Sequence, residues 1–320
     1  MNKIVIIIVN YQTPDLTLDC LASLEPEVAA FPQTQVYVVD NASPDDSVAV
    51  IANGICDRAW DWVTFLPHPA NGGFAAGNNL VLQRVLAAAQ PPDYLWLLNP
   101  DTVVRPGSLA PLVTFLDHHP HVGLVGSRLE DADGAPQYSA FRFPSVGTEF
   151  ARGLGWGLIS RLFPQWTIAL PIADQACPVD WVAGASLIIR RAVFEQIGLL
   201  DEGYFLYFEE VDFCRRARNQ GWDCWYLPES RVVHWVGQSS GINAAPKATV
   251  ERLPTYWFAA RRRYFVTHYG RVYTMVTDLL WLLAYLTLRG RSLIQRKPLA
   301  DPPHLWFDFL HNSVLLPGRF

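Results

Sequence analysis

The sequence predicts an α/β fold, a mainly parallel sheet flanked by helices, followed by a helical C-terminal extension. Short apolar runs rich in β-branched residues alternate with amphipathic stretches in the first half of the chain, the order that joins parallel strands by helical crossovers. Four of those runs end in polar clusters, "NYQTPD", "DNASPDD", "HPANGG" and "NPDT". Open parallel sheets bind ligands outside the carboxyl ends of their strands, so the clusters mark one functional edge.

The first strand is Ile4–Val9, an apolar run that stops after six residues and lacks a small-residue cleavage site, so it reads as a buried strand in preference to a signal peptide. Leu16–Leu24 predicts a helix, Gln35–Val39 a second strand ending at Asp40, and Ser47–Ala52 a short helix. Val63–Leu66 is a third strand, Phe74–Ala89 a helix entered through two glycines, and Tyr94–Leu98 a fourth strand. After Val125 the pattern becomes irregular, and residues 135–180, mixed in Gly, Pro and Trp, read as an insertion or lid. Strand character returns at Trp181–Ile189, a helix at Ala192–Ile197, and two short strands at Cys224–Leu227 and Arg231–His234. From Leu253 the chain reads as helical, which divides it into a sheet-forming region, 1–240, and a helical region, 241–320.

Within that helical region, "VYTMVTDLLWLLAYLTL", Val272–Leu288, is strongly apolar. Arg261, Arg262 and Arg263 precede it, and Arg289, Arg291, Arg296 and Lys297 follow it. It admits three readings: a buried helix, a helix lying in a membrane interface with arginines at the headgroups, or a span shortened and interrupted by Asp278.

With 320 residues, half of them hydrophobic and 17% charged, the chain can bury a large core and is not disordered. A net charge of −5 gives no support for nucleic-acid binding. Five scattered cysteines without a CxxC pair argue for a reducing compartment and against a disulfide framework or zinc knuckle.

Several clusters carry candidate chemistry. In "VVDNAS", Asp40 and Asn41 close a strand, where an acid can accept from a nucleobase or ribose, or simply form an Asx-turn. "NGGFAAGNN", Asn71–Asn79, starts a helix whose amides can approach a diphosphate, though the loop after strand one has no glycine and a dinucleotide site therefore lacks its phosphate loop. The same lack disfavours a nucleotidyltransferase. In "LLNPDTVV", Asn99 and Asp101 sit two apart past a strand, so both oxygens can reach one hard cation, or the segment is a plain turn. "FLYFEEVDFCRRARNQGW" crowds Glu209, Glu210 and Asp212 behind aromatics. On a helix, Glu209 and Asp212 share a face and Glu210 stands apart, free to serve as a base, while Asp212 is near Arg215 and Arg216. An acidic first turn also suits the helix dipole. His234, in "HWVGQSSG", reads on its own as structural.

Taken in order, "VNYQ", "VDNAS", "NGGFAAGNN", "LNPDT", "VAGASLIIRR", "FLYFEEVDFCRRARNQGW" and "HWVGQSSG" resemble the family 2 glycosyltransferases, inverting enzymes of the GT-A fold with a Rossmann-like sheet. The likeness is to the rhamnosyltransferase and galactofuranosyltransferase subgroup and covers residues 3–240. It implies that residues 1–240 bind a nucleotide sugar and catalyse transfer. Val9, Asn10, Tyr11, Asp40, Asn41 and Ser43 would lie against the nucleoside, with Asn71, Gly72, Gly73, Phe74 and Asn78 beside the diphosphate. Asp101 matches the last acid of a DxD-type motif whose first position here is Asn99, and His234 resembles the histidine completing a Mg²⁺ or Mn²⁺ site. Glu210 resembles the catalytic base, with Glu209 and Asp212 as neighbours, and Trp181, Gly184 and Ala185 part of the wall between donor and acceptor. The implied reaction moves a sugar, first rhamnose from dTDP-rhamnose, to a hydroxyl of a growing lipid-linked surface glycan such as O-antigen. Galactofuranose or another sugar from a UDP donor is the alternative, and a non-catalytic sugar-nucleotide binder the alternative of another class. The implied location is cytoplasmic; the interface reading of residues 272–288, taken from their apolar run and flanking arginines, would add peripheral contact at the inner face of the plasma membrane.

Overall fold

The computed structural model describes residues 2–235, 251–297 and 299–316. The part of "HWVGQSSG" beyond Trp235, expected to form a turn, lies outside them.

Strand β1, Ile4–Asn10, is buried along its whole length, as a strand covered by helices on both faces must be. The order continues with α1 (Pro14–Ala30), β2 (Thr34–Asn41), α2 (Ser47–Asp57), β3 (Val63–His68), α3 (Gly73–Leu86), β4 (Tyr94–Leu98), β5 (Thr102–Val104), α4 (Leu109–His118) and β6 (Val122–Glu130). Next come β7 (Ala140–Phe141), α5 (Val146–Leu154), α6 (Gly157–Leu162), β8 (Cys177–Val179), β9 (Trp181–Val182), β10 (Ser186–Arg190), α7 (Arg191–Ile197), α8 (Glu209–Asn219), β11 (Asp223–His234), α9 (Thr255–Gln295) and α10 (Leu305–Asn312). The main sheet runs β3-β2-β1-β4-β10-β6-β11-β5, with β8 on the side of β11. β3, β2, β1 and β4 are parallel, whereas β10 is antiparallel to both its neighbours and β5 to β11.

The predicted early elements are present, most with longer ends, although α3 stops at Leu86, short of the expected Ala89, and β4 keeps its expected ends. The expected strand Trp181–Ile189 is two strands. Residues 183–185 break it, where the Ala185 carbonyl accepts the Asn99 amide at 3.0 Å. The two pieces expected at 224–227 and 231–234 are one strand, β11, with a register irregularity between Leu227 and Arg231. β6, which no expected strand anticipates, runs across the start of the stretch read as irregular after Val125. Two glycines disguise it, yet both are packed: a Cβ on Gly126 would meet Val182 at 2.5 Å, and one on Gly123 would meet Val193 at 2.7 Å.

Residues 135–180 form β7, α5, α6 and β8, and α5 packs on α9. Arg261 joins them: it donates to Glu149 at 2.6 Å and to Asp278 at 2.7 Å, and all three are buried. Burial alone would raise Glu149, but Arg152 and Arg261 hold its carboxyl down to about 2. Asp278, the acid inside the apolar segment, therefore belongs to an internal ion triad, and it also accepts the Val314 amide at 3.0 Å. Gly270, at φ 80°, divides α9 into two helical runs. All five cysteines are free.

Candidate active site

The carboxyl ends of β1, β2 and β4 meet at one edge of the sheet. Because β10 runs antiparallel to β4, the start of β10 arrives at that same edge, bringing Gly184 and Ala185 beside Asn99. The pairing of β5 with β11 sets Thr102 opposite His234 and so brings His234 next to Asp101.

Asn10 and Asp40 form a closed network. Asn10 Nδ2 donates to Asp40 Oδ2 at 2.7 Å, and its Oδ1 accepts from Thr13 and Thr17. The Ser43 amide and hydroxyl donate to Asp40 at 3.0 and 2.7 Å, an Asx-turn in which the carboxylate is wholly buried. Val9 lies under α3, where Gly77 leaves room for it, and Tyr11 is half-buried at the rim.

The loop at Asn71 is similarly fixed. Asn41 Nδ2 donates to Asn71 Oδ1 and to the Gly73 carbonyl, each at 3.0 Å, and the Gly73 amide donates to Asn71 Oδ1 at 3.0 Å. The Phe74 amide donates to the Phe205 carbonyl at 2.9 Å. Gly73 has φ 84°, and a Cβ there would stand 1.8 Å from the Phe205 oxygen, so both conformation and space demand glycine. Asn78 Nδ2 is spent on the Phe74 carbonyl at 2.9 Å.

Phe205 opens the loop that leads into α8. Tyr207 and Phe208 both have left-handed backbone, at φ 71° and 68°, a conformation costing bulky residues free energy and found where a site imposes it. Phe208 is also the N-cap and offers no side-chain acceptor. Glu209, Glu210 and Asp212 occupy the first turn. Burial pushes Glu210 up to about 7. Burial and then the Glu210 charge raise Glu209 well above the carboxylate range. Gly184 faces Glu210, a Cβ there lying 3.6 Å from its Cβ. Trp181 stacks on Phe141 with centroids 4.2 Å apart and donates to the Arg142 carbonyl.

Asp212 is placed differently. Burial would raise it, but a hydrogen bond from His268 at 2.8 Å and Arg216 at 2.7 Å hold its carboxyl below the usual range. It positions α8 through an ion pair and is the one member of the acidic turn with its charge spent.

Thirteen buried side-chain polar atoms among the described residues have no hydrogen-bond partner, and six cluster in these segments: Asn41 Oδ1, Asn78 Oδ1, Asp101 Oδ1, Glu209 Oε2, Glu210 Oε2 and His234 Nδ1. Buried polar groups are ordinarily paired, and these six have no partner within the described chain. Asp101 Oδ1 stands 3.6 Å from His234 Nε2. An unpaired carboxylate oxygen facing an imidazole nitrogen fits a divalent cation whose other ligands are phosphate and water oxygens. No group of three or more His, Cys, Asp or Glu among the described residues could hold a metal unaided.

The family model described as glycosyltransferase like family 2 matches residues 2–267. The chain belongs to glycosyltransferase family 2. This glycosyltransferase is 30% identical over 253 residues to the N-acetylglucosaminyl-diphospho-decaprenol L-rhamnosyltransferase of Mycobacterium tuberculosis, covering 76% of this chain and 79% of that relative. It is 25% identical over 194 residues to the rhamnosyltransferase WbbL of Escherichia coli, covering 60% and 71%. Among solved structures, the mannosyltransferase PcManGT from Pyrobaculum calidifontis, in complex with GDP-Man and Mn²⁺, matches with a TM-score of 0.57 at 14% identity over 99% of this chain and 81% of that one. S. aureus TarS 1–349 in complex with UDP gives 0.52 at 15%, over 97% and 80%. At such identities the likeness is of fold, and the fold is GT-A.

Two partners of this glycosyltransferase's site carried no sequence signal. His268 lies far along the chain from Asp212, in a helix otherwise read for its apolar content. The Phe205 carbonyl is a backbone atom, and only the paired glycines at 72 and 73 hint that something approaches there. Tyr256 adds a third, its ring 5.4 Å from Phe205 and 6.2 Å from Tyr207.

Proposed function

We propose that this chain is an inverting, metal-assisted rhamnosyltransferase, taking the sugar from dTDP-rhamnose and delivering it to a hydroxyl of a lipid-linked surface glycan on the cytoplasmic side of the membrane. The observation that carries the reading is Glu210: a carboxylate with an unpaired buried oxygen, raised to about 7, at the sheet edge that also holds Asp101 and His234. A general base works best when its pKa is near the working pH.

The acceptor oxygen forms a bond to the anomeric carbon as the bond from that carbon to the diphosphate oxygen breaks. The acceptor proton passes to Glu210, and the nucleoside diphosphate leaves with the bonding pair. Attack opposite the leaving group inverts the centre and needs no protein nucleophile. Asn71, Gly72, Gly73, Phe74 and Asn78 line the donor side, where the positive end of the α3 dipole suits phosphate. Asn10, Tyr11, Asp40, Asn41 and Ser43 shape the nucleoside side; Asp40 does so by holding the loop, since its carboxylate is enclosed. Trp181, Gly184 and Ala185 separate donor from acceptor. Mg²⁺ or Mn²⁺ held by Asp101 and His234 would neutralise charge building on the leaving diphosphate. Asn99 lends an amide oxygen at most, so the protein's share of the cation's charge balance is one carboxylate.

The relatives named as rhamnosyltransferases, one on a decaprenol-linked acceptor, support the choice of sugar and acceptor class. The test is incubation of the purified protein with dTDP-rhamnose or UDP-sugars and a lipid-diphosphate glycan acceptor, reading product anomeric configuration and the nucleotide released. Rhamnoside of inverted configuration with dTDP release is expected. Retention, release of pyrophosphate, or transfer only from a UDP-sugar would each overturn a stated part of the reading.

A further inference from the structure

The second run of α9 is apolar on opposite sides, and the protein covers one of them. Thr274, Thr277, Asp278, Trp281, Ala284 and Tyr285 face inward and are buried. Val272, Met275, Val276, Leu279, Leu283 and Leu286 recur at helical spacing on the other side, each between 40% and 75% exposed, and Leu293 and Ile294 continue the stripe. α6 extends this surface. Arg291 donates to the Gly155 carbonyl at 2.9 Å with its guanidinium over the Trp156 ring, and Trp156, Leu158 and Leu162 are exposed beside it.

Charge around the patch is predominantly basic, although Arg289 pairs with Asp301 at 3.6 Å and Arg152 with Glu149 at 2.8 Å. Between Asp278 and Asp301 the sequence holds Arg289, Arg291, Arg296 and Lys297 and no acid; between Glu149 and Asp174 it holds Arg152 and Arg161 and no acid. On α9, Arg289 and Arg291 project about 100° to either side of the stripe's midline. In a chain of net charge −5, this is a local reversal of the molecule's balance.

We propose that α9 from Val272 to Ile294, together with α6, docks flat on an anionic bilayer surface, with the apolar stripe at the acyl boundary and the arginines among the lipid phosphates. No helix among the described residues is long and apolar enough to cross a membrane, and Asp278 ties the inner side of α9 to Arg261, so the helix lies on lipid and does not thread it. A second copy is the poorer partner, because two such faces meeting about a two-fold axis would bring their arginine rims together. Docking on lipid requires no sugar transfer, so it is read independently of the reaction assigned above.

The experiment is sedimentation of the full chain with vesicles of phosphatidylcholine alone or mixed with phosphatidylglycerol, at low and high salt. Binding to the mixed vesicles, weakened by salt, is expected. Leu283→Glu with Leu286→Glu should lower the partition coefficient by about a hundredfold, the loss of two buried leucine side chains. Arg296→Glu with Lys297→Glu should weaken binding to the mixed vesicles alone. Both pairs of positions are on the surface, and an unchanged thermal midpoint would show the variants folded. Absence of wild-type binding, or equal binding to both vesicle types, overturns the proposal. So does a dimer in sedimentation velocity that Leu283→Glu dissolves.

Discussion

His268, on the first run of α9, places Nε2 2.8 Å from Asp212 Oδ1 in the first turn of α8, so a helix of the C-terminal extension orients the helix that carries Glu210. His268→Ala should lower stability, since removing one partner leaves a buried carboxylate with less compensation; about 3 kcal/mol is the scale for a fully buried pair. The folded Asp212 carboxyl lies below its ordinary value, so its contribution is full above the unfolded pKa of about 3.9 and is lost as pH falls through the lower folded value. Urea unfolding across that acid range should show a shallower pH dependence for the variant, and identical curves would remove the assigned role.

Glu210→Gln should reduce kcat by about 10²–10⁴-fold while leaving nucleotide binding intact. In the wild type, activity should rise with pH through about 7, because the working form is the carboxylate. Stability runs the other way. A carboxyl whose folded pKa is raised stabilises the fold below its unfolded value of about 4.3 and loses that contribution as pH climbs through about 7. A flat kcat profile across neutrality would rule Glu210 out as the base.

Asp101→Ala should abolish the metal-dependent part of the thermal shift given by a nucleoside diphosphate. At about 100 times its dissociation constant a ligand stabilises by roughly 2.7 kcal/mol, a readily measured change. His234→Ala should weaken the shift without eliminating it. If Asp101→Ala responds to Mn²⁺ and nucleotide as the wild type does, the cation binds elsewhere.

Gly73→Ala should damage two segments at once. The new Cβ meets the Phe205 carbonyl and demands a left-handed backbone, strain of at least about 1–3 kcal/mol before any clash is relieved. The expected result is a lower thermal midpoint together with a raised KM for donor. A variant with normal stability and kinetics would show that the Phe205 contact is dispensable.

Arg261→Met should be among the most destabilising single changes, because it removes the cation paired with the buried Asp278 and leaves Glu149 only Arg152. A cost of about 3–5 kcal/mol is expected. Conversion of all three residues to apolar ones of similar size should recover much of it, and additive losses across the three would contradict the triad.

How far the sequence could be read follows from where each signal resides. β1 to β4 were legible because buried parallel strands leave continuous β-branched runs, and their polar ends announced the functional edge. The antiparallel direction of β10 was not, since a strand reads the same in either direction; it is nonetheless what delivers Gly184 and Ala185 to the site. β6 was hidden by Gly123 and Gly126, whose missing side chains are replaced by Val182 and Val193 from elsewhere in the chain. The acidic turn announced itself, but which acid was spoken for depended on Arg216, within reach of local reasoning, and on His268, which was not. Asp278 looked like an interruption only until Arg261 appeared beside it.

The two sides of α9 answer to different constraints. Substitution at Asp278 or Trp281 is felt at once by folding, whereas Val272, Leu279 or Leu283 touch little that the fold depends on. An outward position with no packing to satisfy is free to drift toward polar residues, the cheapest option in water. That so many remain apolar makes the stripe a record of the molecule's surroundings, written in the residues that its own architecture leaves unconstrained.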